Sequence, residues 1–466
     1  MAEEQAELAF PDGFRWGVAT AAHQYEGGNT NNSWYAWEQA GHIKSGERSG
    51  LACDWWRNAE RDFDLAQQLG LNALRLSLEW SRIEPRPGEW DDAAIARYRQ
   101  MLAGLRERGI EPMVTLHHFS NPLWLEDRGA FLWPEAPERF ARYARFAAEH
   151  LADVCDFWCT VNEPNVYAIV GYVIGDFPPG HGGFLAATRV QGGLARAHAA
   201  AYRAIHAAQT QARVGWAQNI NTFDPARPGF APDRWVARAL DAAFNGFFPQ
   251  AIQHGRVAFP FGVGGGDVAA ARGTADWVGL NLYYRDLVRF DPRLPGQLFG
   301  RREAAKDAPR GDQPVTGAWG EVYPQGLVRA TERLAALGKP LYVTENGVSD
   351  ASDRLRPWQI VRAVKALHEA LAAGVDLRGY YHWSLVDNFE WAEGWTTRFG
   401  LAALDLATQE RSLRRSGELY GAIAHANALT PAMVREYGPA ALAEVFTNAA
   451  APAASVPPPR QEDEAL

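Results

Sequence analysis

The amino-acid sequence predicts one α/β domain, a (β/α)8 barrel of the TIM type with long loops on its functional face. Stretches with the apolar pattern of a buried strand alternate with stretches of helical periodicity along the 466 residues. The count reaches eight strand–helix units, which is the number that closes such a barrel. The longest segments with neither pattern follow predicted strands, where a barrel builds its functional face. No change in composition marks a second domain.

The predicted strands are short runs of apolar and β-branched residues. In chain order they cover residues 14–21, 72–80, 113–118, 157–163, 213–217, 277–283, 341–345 and 377–385. The third strand follows Pro112, and the sixth follows a glycine-rich gap. Asn-Gly stops the seventh strand, and Pro164 stops the fourth.

The predicted helices cover residues 58–70, 91–109, 137–152, 184–209, 234–253, 323–337, 355–373 and 413–427. The first ends on Gly70, and the second begins with aspartates at its positive end and ends on Gly109. The fourth is long and rich in alanine. We therefore assign residues 10–447 to the barrel domain and residues 1–9 to a flexible, acidic leader. Residues 448–466 are rich in Ala and Pro and are interpreted as a disordered tail.

Two of the predicted strands end on a glutamate, Glu163 and Glu345. Barrel enzymes keep their chemistry at this end of the strands. For a single glutamate, an ion pair with a nearby arginine is the simpler interpretation. Two glutamates at the same ends of two buried strands favour chemistry instead, because cleavage of a glycoside by double displacement requires such a pair.

Composition excludes several classes of protein. A net charge of −9 and a pI of about 5.8 do not indicate the excess of positive charge that nucleic-acid binding requires. No apolar run approaches the roughly 20 residues that span a bilayer. The N-terminus lacks the pattern of a signal peptide, and three cysteines do not form a disulfide framework. We expect a cytoplasmic protein without metal or cofactor that binds neither nucleic acid nor membrane. The 18 tryptophans suit either a sugar site or a large core.

Four motifs in order connect the chain to a known family: FRWGVATAAHQYEG at 14–27, TVNEP at 160–164, VTENG at 343–347 and WSLVDNFEWAEG at 383–394. Over roughly residues 10–427 the sequence resembles glycoside hydrolase family 1, the retaining β-glucosidases and β-galactosidases. The resemblance implies hydrolysis of terminal β-D-glucosyl residues, and of galactosyl or fucosyl residues, through a covalent glycosyl-enzyme. The partner would be a small β-glycoside or an oligosaccharide such as cellobiose. The sequence indicates neither the preferred glycone nor an oligomeric state.

The resemblance also implies which residues act. Glu345 would be the nucleophile and Glu163 the general acid/base, with Arg75 and Tyr283 beside Glu345. A cation and a hydrogen-bond donor favour a carboxylate, whereas an acid has to keep its proton until it donates. The sugar-binding residues would be Gln24, His118, Asn162, Asn281, Trp319, Trp383, Glu390, Trp391 and Phe399.

For some of these positions a plainer role is open. Asn281 and Phe399 suit ordinary barrel packing equally well, and His117 is interpreted as a packing residue. Phe119 stands where much of the family has tryptophan. The family usually has Gly before Trp at the platform for the leaving group, whereas here Trp319 precedes Gly320.

Two alternative functions are weighed against this one. A 6-phospho-β-glycosidase would replace the acidic residue at Glu390 and add a serine, lysine and tyrosine set for the phosphate. A non-catalytic sugar-binding barrel would lack one of the two glutamates. This chain has Glu163, Glu345 and Glu390, which favours hydrolysis of unphosphorylated glycosides.

Overall fold

The computed structural model describes residues 7–312 and 320–446 and confirms the barrel. Its eight parallel strands are β1 (Arg15–Ala19), β2 (Ala73–Ser77), β3 (Glu111–His117), β4 (Phe157–Asn162), β5 (Arg213–Asn219), β6 (Trp277–Asn281), β7 (Leu341–Asn346) and β8 (Leu377–His382). They close on themselves in the order β7-β8-β1-β2-β3-β4-β5-β6. Strands β2, β4, β6, β7 are buried along their whole length, because side chains fill the barrel and helices cover its outside.

The barrel helices follow the prediction with one correction. They are α1 (Glu60–Gln68), α2 (Asp92–Glu107), α3 (Ala136–His150), α4 (Gly183–Ala208), α5 (Ala231–Asn245), α6 (Phe247–His254), α7 (Gly326–Ala335), α8 (Arg356–Ala372) and α9 (Arg415–Ala426). The single helix predicted over 234–253 is two helices that meet at Gly246. Asn245 fixes this break, since its side chain bonds both backbone groups of Asn221 at 2.8 and 3.0 Å.

Several strands end earlier in the structure than the sequence patterns predict. The strand predicted over 72–80 ends at Ser77, and Glu79 caps a short helix by accepting from Ser81 N at 3.3 Å. The strand predicted to reach Glu163 ends at Asn162. The last strand ends at His382 instead of Leu385.

The segments that connect the barrel strands and helices, and the segment after α9, contain structure that the sequence patterns do not predict. A small sheet joins Thr222–Pro225, Tyr284–Phe290, Gly300–Glu303 and Glu321–Val322, and a hairpin pairs Ala402–Leu404 with Arg411–Leu413. Short α-helices cover Ala22–Tyr25, Ser33–Gln39, Trp55–Asn58, Trp80–Ile83, Leu123–Glu126, Pro164–Ile169, Pro431–Tyr437 and Leu442–Val445. Single 3₁₀ turns lie at Ala130–Leu132, Ala269–Ala271, Pro295–Gln297, Trp391–Glu393 and Pro439–Ala441, and a short π-helix covers Val170–Ile174.

The start of the described chain pairs with a short strand that follows α9. Leu8–Ala9 forms an antiparallel pair with Ala428–Leu429, and Phe10 N donates to Asn427 O at 3.0 Å. The ordered domain therefore begins before position 10, which corrects the predicted end of the leader. Residues 1–6 and the predicted tail at 448–466 lie outside the described residues. Over 7–312 and 320–446, none of the helices has the length and apolarity to cross a bilayer.

Strand register determines which side chains lie together at the functional end of the barrel. Asn219 of β5 pairs with Asn281 of β6, and Asn281 pairs with Glu345 of β7. On the other side of β5, Ala217 pairs with Asn162 of β4. Three amides and one carboxyl group are therefore brought to adjacent strand ends by backbone pairing alone.

A glycine lets the chain leave β7 beside the end of β8. A Cβ on Gly347 would lie 2.0 Å from the carbonyl oxygen of Trp383. No larger residue fits this close approach without moving the backbone. The Asn-Gly that stops the seventh strand in the sequence is thus explained by packing against the neighbouring strand.

Candidate active site

The predicted glutamates meet at the carboxyl end of the barrel. Glu345 lies near the end of β7, and Glu163 directly follows β4. Both are buried, with 4% and 5% of their surfaces exposed. They are close enough that the charge of Glu345 raises the pKa of Glu163. The pair that the sequence places on two separate strands therefore shares one site.

The carboxylate of Glu345 is held by a cation and a hydroxyl group. Arg75 Nη1 donates to Oε1 at 2.5 Å, and Tyr283 OH donates to Oε2 at 2.8 Å. Both donors favour the ionised form. The two neighbours that the resemblance implies for Glu345 are therefore in contact with it.

Arg75 is itself fixed in place. It is fully buried, and its remaining donors reach Thr115 Oγ1 at 2.9 Å and Asn162 Oδ1 at 2.6 Å. A buried guanidinium without partners would be costly, so these contacts and the ion pair are needed together. The arginine thereby links the nucleophile candidate on β7 to the amide at the end of β4.

Glu163 has different surroundings. Its Oε1 accepts hydrogen bonds from Asn219 Nδ2 and Asn281 Nδ2, each at 2.8 Å, and both donors are neutral. Its backbone has φ +46° and opens the helix Pro164–Ile169. The backbone N–H of Glu163 donates to Ala217 O at 2.8 Å, which ties this turn to β5.

These surroundings separate the two carboxyl groups electrostatically. Burial and the charge of Glu345 raise the pKa of Glu163 to about 8. Burial also raises the pKa of Glu345, but Arg75 and Tyr283 oppose that rise. Because the cation contacts Glu345, we assign the shared negative charge to Glu345 and the proton to Glu163.

The predicted sugar-binding residues Gln24, Glu390 and Trp391 come from loops on the same face. Gln24 Nε2 donates to Phe389 O at 2.8 Å and reaches Glu390 Oε2 at 3.3 Å, while its buried Oε1 has no partner in the described chain. Glu390 also accepts from Trp383, and burial raises its pKa to about 8. The charge of Glu345 contributes to that rise, so Glu390 belongs to the same electrostatic site.

Aromatic rings pack around His118, which the resemblance places at the sugar. Its ring centroid lies 5.8 Å from that of Trp391, 6.0 Å from that of Trp383 and 5.0 Å from that of Phe119. Its Nε2 is 3.0 Å from Asn162 Nδ2, and burial holds its pKa well below the usual range, so the ring is neutral. Phe119 does pack on Trp391, at 5.3 Å.

Three residues around this site have a left-handed backbone conformation, which residues other than glycine rarely adopt. They are Phe119 at φ +67°, Glu163 at +46° and Trp391 at +47°. Each such residue costs of the order of 1–3 kcal/mol, and such strain is concentrated at functional sites. The loops around the two glutamates are therefore held in place by tertiary contacts and not by local preference.

The remaining predicted residues divide as follows. Asn281 donates to Asn162 and Glu163, so it is part of the hydrogen-bond network around the two glutamates. The Phe399 ring lies 6.0 Å from that of Tyr283. His117 bonds Asn121 at 3.0 Å among aromatic rings, and burial lowers its pKa to about 4, as suits a packing residue. Trp319 lies outside the described residues.

Sequence reasoning missed Asn219 and Thr344. Asn219 bonds Glu163, and Thr344 Oγ1 bonds Asn281 Oδ1 at 2.6 Å. The only signal in the sequence was position, since both residues lie at or near the polar end of an apolar strand. Within the described chain, groups of three or more His, Cys, Asp or Glu with the arrangement of a metal site are absent.

Two buried carboxyl groups with such different surroundings suit the cleavage of an acetal, because one is ionised and the other can donate a proton. Among TIM barrels, this is the arrangement of the O-glycosyl hydrolases. The model of the family described as glycosyl hydrolase family 1 matches residues 6–429. The chain belongs to this family.

Individual relatives agree with the family assignment. The chain is 32% identical to a β-galactosidase of Pyrococcus woesei over 92% of this chain and 99% of the relative. It is 32% identical to β-glucosidase A of Thermotoga maritima over 90% and 98%. A solved β-glycosidase from Pyrococcus horikoshii superposes with a TM-score of 0.84 at 36% identity, covering 93% of this chain and 99% of the other. A T. maritima β-glucosidase in complex with glucoimidazole gives 0.84 at 31% identity, covering 91% and 100%.

Proposed function

We propose that this protein is a retaining β-glycosidase that removes terminal, non-reducing β-D-glucosyl residues, and galactosyl and fucosyl residues, by double displacement. The observation that carries the proposal is the unequal treatment of the two glutamates. Glu345 is held by a cation and a hydroxyl group, and Glu163 by two neutral amides. One group is prepared to attack as an anion and the other to donate a proton.

In the first step, a carboxylate oxygen of Glu345 bonds to the anomeric carbon, and the bond from that carbon to the leaving oxygen breaks. The leaving oxygen takes the proton of Glu163, so the aglycone departs as a neutral alcohol. Arg75 and Tyr283 keep Glu345 ionised and aimed while its charge is consumed. Glu163 becomes a carboxylate, which Asn219 and Asn281 stabilise through their N–H groups.

In the second step, Glu163 acts as a base. Its carboxylate takes a proton from water while the water oxygen bonds to the anomeric carbon, and the ester bond to Glu345 breaks. Two inversions at one carbon give net retention. The product is the free sugar, and both glutamates return to their starting protonation.

The pocket for the sugar would be formed by Gln24, His118, Asn162, Glu390 and the tryptophans around them. Neutral and acidic groups of this kind bind hydroxyl groups, while aromatic faces pack on the apolar face of a pyranose. Relatives named β-glucosidase and β-galactosidase support a glycone with either orientation at one hydroxyl group. One pocket discriminates weakly between such sugars.

A rate panel on nitrophenyl β-glycosides tests this function. We expect turnover of the glucoside, galactoside and fucoside, and a kcat/KM for the glucoside at least about 100-fold above that for its 6-phosphate. Glu390 offers a phosphate dianion no positive charge, whether ionised or protonated. Lys44 contacts the same loop through Glu393, at 2.7 Å, and also pairs with Asp176 at 3.0 Å. Its charge is therefore already balanced by two carboxylates. Equal or faster turnover of the phosphorylated compound would contradict the proposal.

The pKa of Glu163 predicts a limit at high pH. A carboxyl group with a pKa raised to about 8 holds its proton below that pH and loses it above. We therefore expect kcat/KM for an alkyl β-glucoside to fall above about pH 8 because the acid is then ionised. Dinitrophenyl β-glucoside, whose leaving group needs no proton, should show little of this fall.

Burial also raises the pKa of Glu390 to about 8, so the titrations of Glu163 and Glu390 have to be distinguished by experiment. The variant Glu390→Gln serves as the matched control, since it removes that titration while leaving Glu163 intact. If the fall at high pH is set by Glu163, it persists in this variant. Its disappearance, or an equal fall for both leaving groups, would assign the titration to Glu390 instead.

A further inference from the structure

The two oxygens of the Glu163 carboxyl group are not equivalent. Over residues 7–312 and 320–446, its hydrogen bonds are made by Asn219 and Asn281, and both end on Oε1. A carboxyl oxygen has two lone pairs, so two N–H donors occupy Oε1 completely. An oxygen that accepts two hydrogen bonds is a poor place for a proton, which leaves Oε2 to carry it.

Arg75 determines the orientation of the Asn281 amide through Asn162. Arg75 can only donate, so the Asn162 oxygen must face its Nη2, 2.6 Å away. That same oxygen lies 3.0 Å from Asn281, which must therefore present Nδ2 to it. Nδ2 of Asn281 is then also the atom that meets Glu163 Oε1. The orientation of this donor follows from the cation beside Glu345.

Asn219 is the independent donor of the two. Among the described residues its side chain hydrogen-bonds Glu163, and its backbone is held separately. Its backbone oxygen accepts from Asn165 Nδ2 and Gln218 Nε2, each at 2.9 Å, and its strand pairs with β6 at Asn281. A change in the side chain of Asn219 should therefore alter Glu163 without disturbing Glu345 or the strand.

We propose that Asn219 is a positioning residue that, with Asn281, confines the transferable proton of Glu163 to Oε2 throughout the reaction. This inference rests on the proposed function. Oε2 gives its proton to the leaving oxygen as the glycosidic bond breaks. The same Oε2 then takes a proton from water as the ester to Glu345 breaks.

Loss of Asn219 has two consequences that can be measured. One lone pair on Oε1 becomes free, so the proton is shared between two oxygens and only one of them faces the leaving group. The ionised form also loses a donor, so the pKa of Glu163 rises, in agreement with the direction in which Asn219 acts on it. Activity on substrates that need an acid should fall, and the high-pH limit should move upwards.

The test compares Asn219→Ala with Asn221→Ala. Asn221 lies two residues further along, and its side chain donates to Asp286 Oδ2 at 2.6 Å, away from Glu163. For Asn219→Ala we expect kcat/KM on an alkyl β-glucoside to fall about tenfold, with a change below about threefold on dinitrophenyl β-glucoside. The high-pH limit should rise by about one unit. Asn221→Ala should change neither the leaving-group dependence nor the pH limit.

Two further variants keep the test decisive if alanine harms folding. Asn219→Asp has the same shape but lacks the N–H donor, and its added charge should raise the high-pH limit further. Asn219→Gln keeps an N–H₂ group and should recover part of the lost activity on the alkyl glucoside. Equal losses on both substrates with an unmoved pH limit would reduce Asn219 to a structural residue.

The outcome can be separated from a failure of the proposed function. If Glu163→Ala shows no dependence on the leaving group, the acid/base assignment itself is wrong. If Glu163→Ala shows that dependence and Asn219→Ala does not, only the inference about Asn219 falls.

Discussion

Replacing Glu345 by alanine is expected to reduce turnover by at least about 10⁴-fold, because the proposed nucleophile is removed. Arg75 and Tyr283 would remain, each having lost its carboxylate partner. The space of the carboxylate would then be lined by a cation and a hydroxyl group, which suits a small anion. Added azide or formate should therefore restore activity.

The rescued reaction should have a distinctive stereochemistry. An anion in the place of Glu345 attacks from the face that Glu345 occupied, and the reaction stops after one inversion. Azide and a β-glucoside should give an α-glucosyl azide, which NMR identifies. Glu345→Gln provides the control, since glutamine fills the same space and should leave no room for the anion. An alanine variant with near wild-type activity would show that the nucleophile has been assigned wrongly.

For Glu163→Ala, the loss should depend on the leaving group. Cellobiose has a poor leaving group and should lose about 10³-fold in kcat/KM, whereas dinitrophenyl β-glucoside should lose less than about tenfold. In the proposed mechanism the second step also lacks its base, so the glycosyl-enzyme should accumulate and give a burst of dinitrophenol. Azide needs no base, so it should release the sugar from the glycosyl-enzyme as a β-glucosyl azide, with retention.

Two comparisons make this result specific to Glu163. Glu390→Gln alters the proposed sugar pocket and should affect both leaving groups in similar proportion. Rescue of Glu163→Ala should give the β-azide, whereas rescue of Glu345→Ala should give the α-azide. Losses of the same size for cellobiose and the dinitrophenyl glucoside would remove the basis for calling Glu163 the acid.

The barrel was predictable because its strands leave a strong local signal. A parallel strand buried on both faces is a short, nearly continuous apolar run, as in β4 and β7. The sheet formed by Thr222–Pro225 and Tyr284–Phe290 was not predicted. Its partners are far apart in the sequence and only partly buried, so pairing in three dimensions and not local pattern decides its structure.

The candidate site was predictable to a similar extent. Glu163 and Glu345 are candidates from the sequence because each ends an apolar run and matches a family motif. Asn219 could not, because an asparagine at a strand end is common and its contact depends on the register between β5 and β6. That register places Asn219 beside Asn281, and no residue pattern within either strand specifies it.

The ion pair of Arg75 with Glu345 and the buried setting of Glu163 together imply a proton affinity that changes during the reaction cycle. The charge of Glu345 is one of the causes that raise the pKa of Glu163. In the proposed mechanism, formation of the ester removes that charge, while Arg75 remains positive nearby. The affinity of Glu163 for a proton should then decrease at the stage where it has just given one away. Hydrolysis of the ester returns the charge to Glu345, and with it the higher proton affinity that Glu163 needs for the next substrate.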